Sequence, residues 1–401
     1  MNITGIITEY NPFHLGHKYH LEKSKKDTSS DGTICIMSGN FVQRGEPALL
    51  DKFNRAEIAV RNGVDLVIEL PLIFSVSSAE FFSSGACRIL DKTSVVNNLY
   101  FGSEHGDVDD LLNIAKVLNA EDATFNSLLK KKLSLGLPFF KAREETLYEI
   151  IPGIKEKDIL NNSNNILAIE YIKALEKINS NIKPVTLKRL GSNYNDTTIN
   201  NNFASATSIR KALLSSKNNL SCIKDIVPIE TYNKLSNLAL NNYNFIYPED
   251  IFPFIKYKLL TEGFNLKNIF DVSEGLDNKI LKDLSSSSSL SELILHTKSK
   301  RYSYTRISRL LLQFFLGFEN YNIEKLLKNT PDYIRPLAFN ETGCKILKEI
   351  KKKNNIRIIT KVSKEYDNDY LNMDILGTKA YSILNKSISP YDDYIKSPMK
   401  I

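Results

Sequence analysis

Cysteine is scarce in this chain. Its four residues, Cys35, Cys87, Cys222 and Cys344, stand far apart with no Cys-x-x-Cys pair. That spacing indicates neither a zinc cage nor a disulfide framework, and a reducing, cytoplasmic location fits. Long apolar runs are missing too. The greasiest stretch, LVIELPLIFSV at 66–76, contains Glu69 and Pro71 and is too short to span a bilayer. Glu9, Asn11 and Pro12 interrupt the first apolar segment, which therefore does not read as a signal peptide. Arginine is sparse at 12 residues, whereas lysine, asparagine and isoleucine are abundant throughout. The net charge of +7 permits a polyanionic partner without specifying one. Arginine clusters are consequently more informative than lysine clusters.

What remains is ordinary soluble composition, 42% apolar and 25% charged. The length of 401 residues suits two domains. The first 120 residues alternate between strand and helix patterns. NITGIIT reads as a buried strand and LGHKYHLEKSKK as a helix. GTICIMSG is a strand, FNRAEIAVRNG a helix and VDLVIELP a strand. SAEFFSSGACRILDK is helical, SVVNNLYFGSE extended and VDDLLNIAKVLN helical. A further helix over 165–177, the strand IKPVTLKRLG and the helix in FASATSIRKALLSS follow, the last with capping residues Ser205 and Thr207. Repeated βα units predict an α/β fold, a Rossmann-like doubly wound parallel sheet, over residues 1–215. Beyond about 225 the alternation gives way to long helical patterns, which predicts a mainly α-helical, basic region over 216–401. The serine run at 285–289 reads as a linker or helix junction.

In such sheets ligands sit at the carboxyl ends of strands. TEYNPFHLGH, SGNFVQRGEPA and FGSEHG each follow a strand and so converge on one edge. Three of the five histidines, His14, His17 and His20, fall within the first of these segments and the helix after it. A zinc site needs further His, Cys or carboxylate partners in pattern, and none accompanies them. A phosphate site needs less. A helix beginning near Gly16 presents free backbone N–H groups, and imidazoles beside it donate to phosphate oxygens as charge grows. Two structural histidines capping a loop are the plainer alternative.

NPFHLGH resembles the HxGH signature of the nucleotidyltransferase superfamily, and ATSIR resembles its second, ST-x-IR-type signature. The segments GIITEYNPFHLGHKYHL, SGNFVQRGEPA, DLVIELP, YFGSE, NNILAIEY, KRLG, FASATSIR, VSEGLDN and KRYSYTRISRLL together resemble one bacterial family, the tRNA(Met) cytidine acetate ligases. That resemblance implies an enzyme that uses ATP and acetate to form acetyl-adenylate and pyrophosphate. The acetyl group then passes to the wobble cytidine of elongator tRNA(Met), giving N4-acetylcytidine. It implies Mg2+ on the phosphates, and neither a membrane nor an obligate protein partner.

Carried over by motif, the ATP-binding stretch is Ile7, Thr8, Glu9, Tyr10, Asn11, Pro12, Phe13, His14, Leu15, Gly16, His17, Lys18, Tyr19 and His20. Further ATP contacts fall on Gly102, on Asn164 or Asn165, on Arg189, and on Thr207 and Ser208. His14, His17 and Arg210 are the catalytic candidates, because each can meet negative charge at the α-phosphorus under attack. Two positions depart from the family pattern: Ala168 stands where glycine is expected, and no histidine stands near Tyr194.

Asn40, Gln43 and Arg44 are candidates to hold the acetate carboxylate, against the alternative of a glycine-bounded loop supporting the sheet. Arg301, Arg306 and Arg309 fall within nine residues, interleaved with Tyr302 and Tyr304. Such a pattern suits phosphate contact and base stacking in tRNA, or the solvated face of an amphipathic helix. LLKKKLSLGLPFFKAR at 128–143 is another basic segment, on an insertion in the α/β region. Two rival functions use the same motifs: a small-molecule adenylyltransferase of coenzyme biosynthesis, and a non-catalytic RNA-binding protein on this scaffold.

Overall fold

Five strands form where the apolar runs fall: β1 (Ile3–Thr8), β2 (Gly32–Ser38), β3 (Leu66–Leu70), β4 (Asn98–Ser103) and β5 (Lys183–Lys188). The computed structural model describes residues 1–189, 204–363 and 366–401. β1 pairs in parallel with both β2 and β4, β2 with β3, and β4 with β5. Every residue of β2 and β3 is buried, which is why they read as continuous apolar runs rather than alternating ones. The doubly wound parallel sheet expected from the βα repeats is present.

Two strands from the far end of the chain extend that sheet. β6 (Pro336–Phe339) lies antiparallel to β3, and β7 (Met399–Lys400) lies parallel to β6. The order across the described residues is β7-β6-β3-β2-β1-β4-β5. The sheet therefore runs past the boundary expected at 215/216, although 216–401 is mainly helical as read. Strands of four and two residues are too short to show a period of two, so sequence periodicity does not reveal them.

The helices that matter for the site are α1 (Leu15–Asp27), α2 (Lys52–Arg61), α3 (Ala79–Lys92), α4 (Val108–Ala120), α5 (Ser163–Lys177), α6 (Ala206–Ser215), α7 (Tyr304–Phe315) and α8 (Asp369–Leu384). Apart from α3 and α5, their starts follow side-chain caps. Asp51 accepts from the N–H groups of Phe53 and Asn54 to open α2, and Ser205 accepts from Ser208 to open α6. The serine run is a helix junction: it joins Leu276–Leu284 to Leu290–Thr297, and Ser289 caps the second. Ala168, the departure on α5, is fully buried in the core. Gly191 and Phe203 of the sequence motifs, and Tyr194, lie outside the described residues.

Under the sheet's antiparallel edge sits a buried charge cluster. Lys52 Nζ lies 2.7 Å from Glu69 and 2.8 Å from Asp393, and Arg335 bridges the same two carboxylates at 3.3 and 2.9 Å. Two of its members come from the first 70 residues and two from the last 70.

Candidate functional site

The order of strands reverses beside β1, and a doubly wound sheet opens a crevice at the carboxyl ends there. A cavity of about 240 Å3 occupies that place, lined from β1, β4, β5, α1, α5, α6 and the short hairpin at 41–47. The chain leaves β1 through Tyr10, whose φ is +47°, and a cis Asn11–Pro12 peptide. His14 follows as the N-cap of α1.

His14 caps α1 with its own ring. Its Nδ1 accepts from the Gly16 N–H at 3.1 Å, while its backbone N–H donates to Nδ1 of His17 at 3.4 Å. The rings stack with centroids 3.7 Å apart and planes 29° apart. The free N–H groups expected at this helix start are spent: Leu15 donates to Ile226, Gly16 to the His14 ring, and His17 and Lys18 to the His14 carbonyl. An imidazole nitrogen serves here as an asparagine or aspartate oxygen does elsewhere. With both Nδ1 lone pairs engaged, each ring carries its proton on Nε2 and is a neutral donor. Burial, helped by the nearby Arg189 charge, pushes His14 down to about 3, and burial with the neighbouring His14, His20 and Arg189 holds His17 well below the ordinary imidazole range. His20 is pushed down to about 4 by burial and Arg189, and its Nε2 is buried without a partner.

Arg210 reaches the same wall from α6, donating to the Asn11 carbonyl at 2.9 Å and pairing with Glu46 at 3.2 Å. Asn11 is itself buried. Its Oδ1 accepts from the Leu49 N–H at 2.8 Å, which fixes the amide so that Nδ2 is the donor left unpartnered in the cavity wall. Glu9 lies beside it, with Oε1 accepting from the Gln43 N–H at 2.8 Å. Burial raises the Glu9 carboxyl above its usual range despite Arg210, Arg44 and Arg55 nearby.

The cavity is also lined by Gly102, Asn164 and Arg189. A Cβ on Gly102 would lie 3.3 Å from Arg189 Cγ, so glycine lets that side chain fold across the strand end. The two asparagines of NNILAIEY separate. Asn164 lines the cavity, held by Glu104 at 2.6 Å, whereas Asn165 is buried and bonds Ile159 and His105.

Not every candidate reaches the cavity. Ile7, Thr8, Tyr19 and Thr207 line it with the residues above; Pro12, Phe13, Leu15, Lys18 and Ser208 do not. Phe13 packs on Tyr10 and His17, and Ser208 is spent on the Ser205 cap. Of the second-substrate candidates, Gln43 and Arg44 line the cavity. Asn40 turns away into the core, where it donates to Thr378 and accepts from the Lys52 N–H.

The arginine–tyrosine segment is less open than its pattern implies. Arg301 is exposed and pairs with Glu274. Tyr302 is buried and donates to Ser273; Arg306 lies over its ring and donates to Asp271. Arg309 is buried and Tyr304 half-buried. An amphipathic helix start folds these side chains back onto their own neighbours, so the interleaving does not make a comb of free rings and charges.

Sequence reasoning missed two supports. Arg55 is fully buried and donates to the carbonyls of Glu9, Ser38, Gly39 and Leu50, lashing the ends of β1 and β2 together. Glu46, the partner of Arg210, also lines the cavity. The sequence signal for Arg55 was weak: it sits among polar and apolar residues on α2, with Arg61 on the same helix. Among the described residues, His105, Asp107 and Asp110 form the one metal-like grouping, outside the cavity, and Asp110 already bonds His105 and Lys157.

Residues 1–394 match the family model described as HIGH Nucleotidyl Transferase. The chain is 51% identical over 400 residues to the tRNA(Met) cytidine acetate ligase of Clostridium novyi, covering 100% of this chain and 99% of that protein. It is 47% identical to the ligase of the same name from Clostridium tetani, with both chains fully covered. The crystal structure of apo Thermotoga maritima TmcAL superposes with a TM-score of 0.92 at 33% identity over both whole chains. That protein's complex with alpha-thio ATP superposes with a TM-score of 0.90 at 32% identity, again over both whole chains.

Proposed function

The chain belongs to the HIGH nucleotidyl transferase family and, within it, to the tRNA(Met) cytidine acetate ligases, and from that premise we propose that its cavity binds ATP and acetate and joins them as acetyl-adenylate. An acetate oxygen attacks the α-phosphorus and pyrophosphate leaves. The wobble cytidine N4 of elongator tRNA(Met) then attacks the acetyl carbonyl, forming N4-acetylcytidine and releasing AMP.

The observation that carries this reading is a cavity wall built of hydrogen-bond donors without an internal acceptor for all of them. Asn11 Nδ2 has no partner, and the His14 and His17 rings are neutral donors by their capping bonds. Buried donors of that kind are costly unless an anion meets them. A triphosphate does so, and the charge that grows on the α-phosphoryl oxygens strengthens each bond in the transition state. Arg210 adds the fixed positive charge.

Gly102, Asn164 and Arg189 hold the nucleoside side, and Gln43 and Arg44 the acetate side. Mg2+ does not find a preformed cage here. The cavity's two glutamates are engaged, Glu9 by the Gln43 N–H and Glu46 by Arg210. A divalent ion would arrive on the triphosphate, with phosphate oxygens and water as its main ligands, and no step above runs through it.

The tRNA side rests on two exposed features. Arg301, just before α7, is exposed although it pairs with Glu274. The segment at 128–143 joins the helices Ala123–Ser134 and Phe139–Ile150, and its tip exposes Phe139 and Phe140 next to lysines. Aromatic rings beside positive charge suit unpaired bases and their phosphates.

The test is incubation of the protein with ATP, labelled acetate and tRNA, followed by mass spectrometry of the nucleosides. Labelled N4-acetylcytidine in tRNA(Met) is the expected product. Pyrophosphate release provoked by a nucleotide or phosphopantetheine but not by acetate would replace this reading with the coenzyme adenylyltransferase.

A further inference from the structure

Acetyl transfer to an exocyclic amine needs a proton acceptor. As the cytidine N4–C bond forms and the carbonyl–AMP bond breaks, one N4 proton must leave, to the departing phosphate or to a side chain of the cavity. The two stacked imidazoles at the start of α1 are poorly suited. His14 and His17 already use their Nδ1 lone pairs as acceptors and carry protons on Nε2, so neither has a lone pair to offer. Glu46 is already engaged by Arg210 at 3.2 Å. Among the described residues lining the cavity, Glu9 is the carboxylate that remains.

Resting on the function proposed above, we propose that Glu9 is the general base of the second half-reaction, taking the proton from cytidine N4 as the acetyl group is transferred. Its position fits. Oε1 is anchored by the Gln43 N–H, so the carboxylate sits at the hairpin side of the cavity, beside a residue assigned to acetate. Arg210, Arg44 and Arg55 face it and keep the ionised form accessible, while burial raises its proton affinity above that of a surface glutamate, and a base gains from such a rise. The protonated carboxyl then returns its proton to solvent once the tRNA leaves.

Glu9→Gln keeps an oxygen for the Gln43 N–H and removes the basicity. Two rates are compared in this variant and in the wild-type protein: acetate-dependent exchange of labelled pyrophosphate into ATP, and single-turnover transfer of labelled acetyl to tRNA(Met). The expected result is a transfer rate that falls at least about 100-fold more than the exchange rate. Equal losses in the two rates, or no loss in either, overturn the proposal. As a measurement that needs no variant, the wild-type transfer rate is followed toward acid pH. It should decline on protonation of one group while exchange holds level; transfer that tracks exchange at every pH overturns the assignment. Absence of acetate-dependent exchange in the wild-type protein would instead reject the ligase reading itself.

Discussion

The first turn of α1 shows how much one residue type can do in two roles. His14 is at once a helix cap and a wall of the cavity, and the capping bond sets which nitrogen carries the proton. The same burial that makes it a neutral donor ties folding to pH. His14 at about 3 and His20 at about 4 lie below the unfolded value of about 6.5, so the unfolded chain binds more protons in between. Stability contributed by keeping these rings neutral is complete above about pH 6.5 and is lost as pH falls toward the folded values. Each ring contributes a slope of up to about 1.4 kcal/mol per pH unit. His14→Asn retains a capping oxygen and removes one titration, so urea unfolding between pH 7.5 and 5 should show a shallower pH dependence than the wild type. Identical slopes would mean that His14 titrates normally in the fold.

At the scale of elements, two motifs that lie far apart in sequence turn out to touch. Gly45, in the hairpin that carries Gln43 and Arg44, has φ +81°, and a Cβ there would lie 2.4 Å from the Arg309 backbone nitrogen. Ser308 of α7 donates to the Gly45 carbonyl at 3.0 Å. The glycine of SGNFVQRG is thus required by contact with α7 as well as by its left-handed backbone. Gly45→Ala should cost about 2–3 kcal/mol, read from the urea midpoint; a loss under half of that would mean that the hairpin simply shifts. The basic helical insertion permits a different test. Phe139 and Phe140 are 60% and 66% exposed, so replacing both by serine removes little packing. tRNA affinity should fall about tenfold or more, with acetate-dependent pyrophosphate exchange within twofold of wild type. Unchanged affinity in a filter-binding titration would remove the tip from the RNA path.

Across the whole molecule, the buried cluster of Lys52, Glu69, Arg335 and Asp393 joins the two ends of the chain behind the sheet. Burial alone would raise the Asp393 carboxyl, but Lys52 and Arg335 overcome that and hold it below the usual range. Its stabilising effect is present above the ordinary carboxylate range and is lost on acidification through the folded value. Asp393→Ala leaves two buried cations sharing the single carboxylate of Glu69 within the cluster and should cost about 3–5 kcal/mol in denaturant unfolding. A loss below about 1 kcal/mol would show that water or Glu69 alone can satisfy them. The cluster also explains Asn40: its loop packs over Glu69 and α8, so its amide is spent on Thr378 and the start of α2 rather than on a substrate.

The sequence by itself determined the parallel βα core, the loop that carries His14 and His17, and the family, because long apolar periods and contiguous motifs are local properties. The tertiary structure alone decided which of Asn164 and Asn165 faces the cavity, that Gly16 points its N–H at a ring rather than outward, and that Arg309 and Tyr302 are buried. It also decided that residues 336–339 and 399–400 complete the first sheet. Apart from the Gly16 contact, which is local but set by a side-chain rotamer, each of these depends on a partner tens to hundreds of residues away. A side chain's hydrogen bonds and burial are set by what folds against it, and no window of neighbouring residues contains that information.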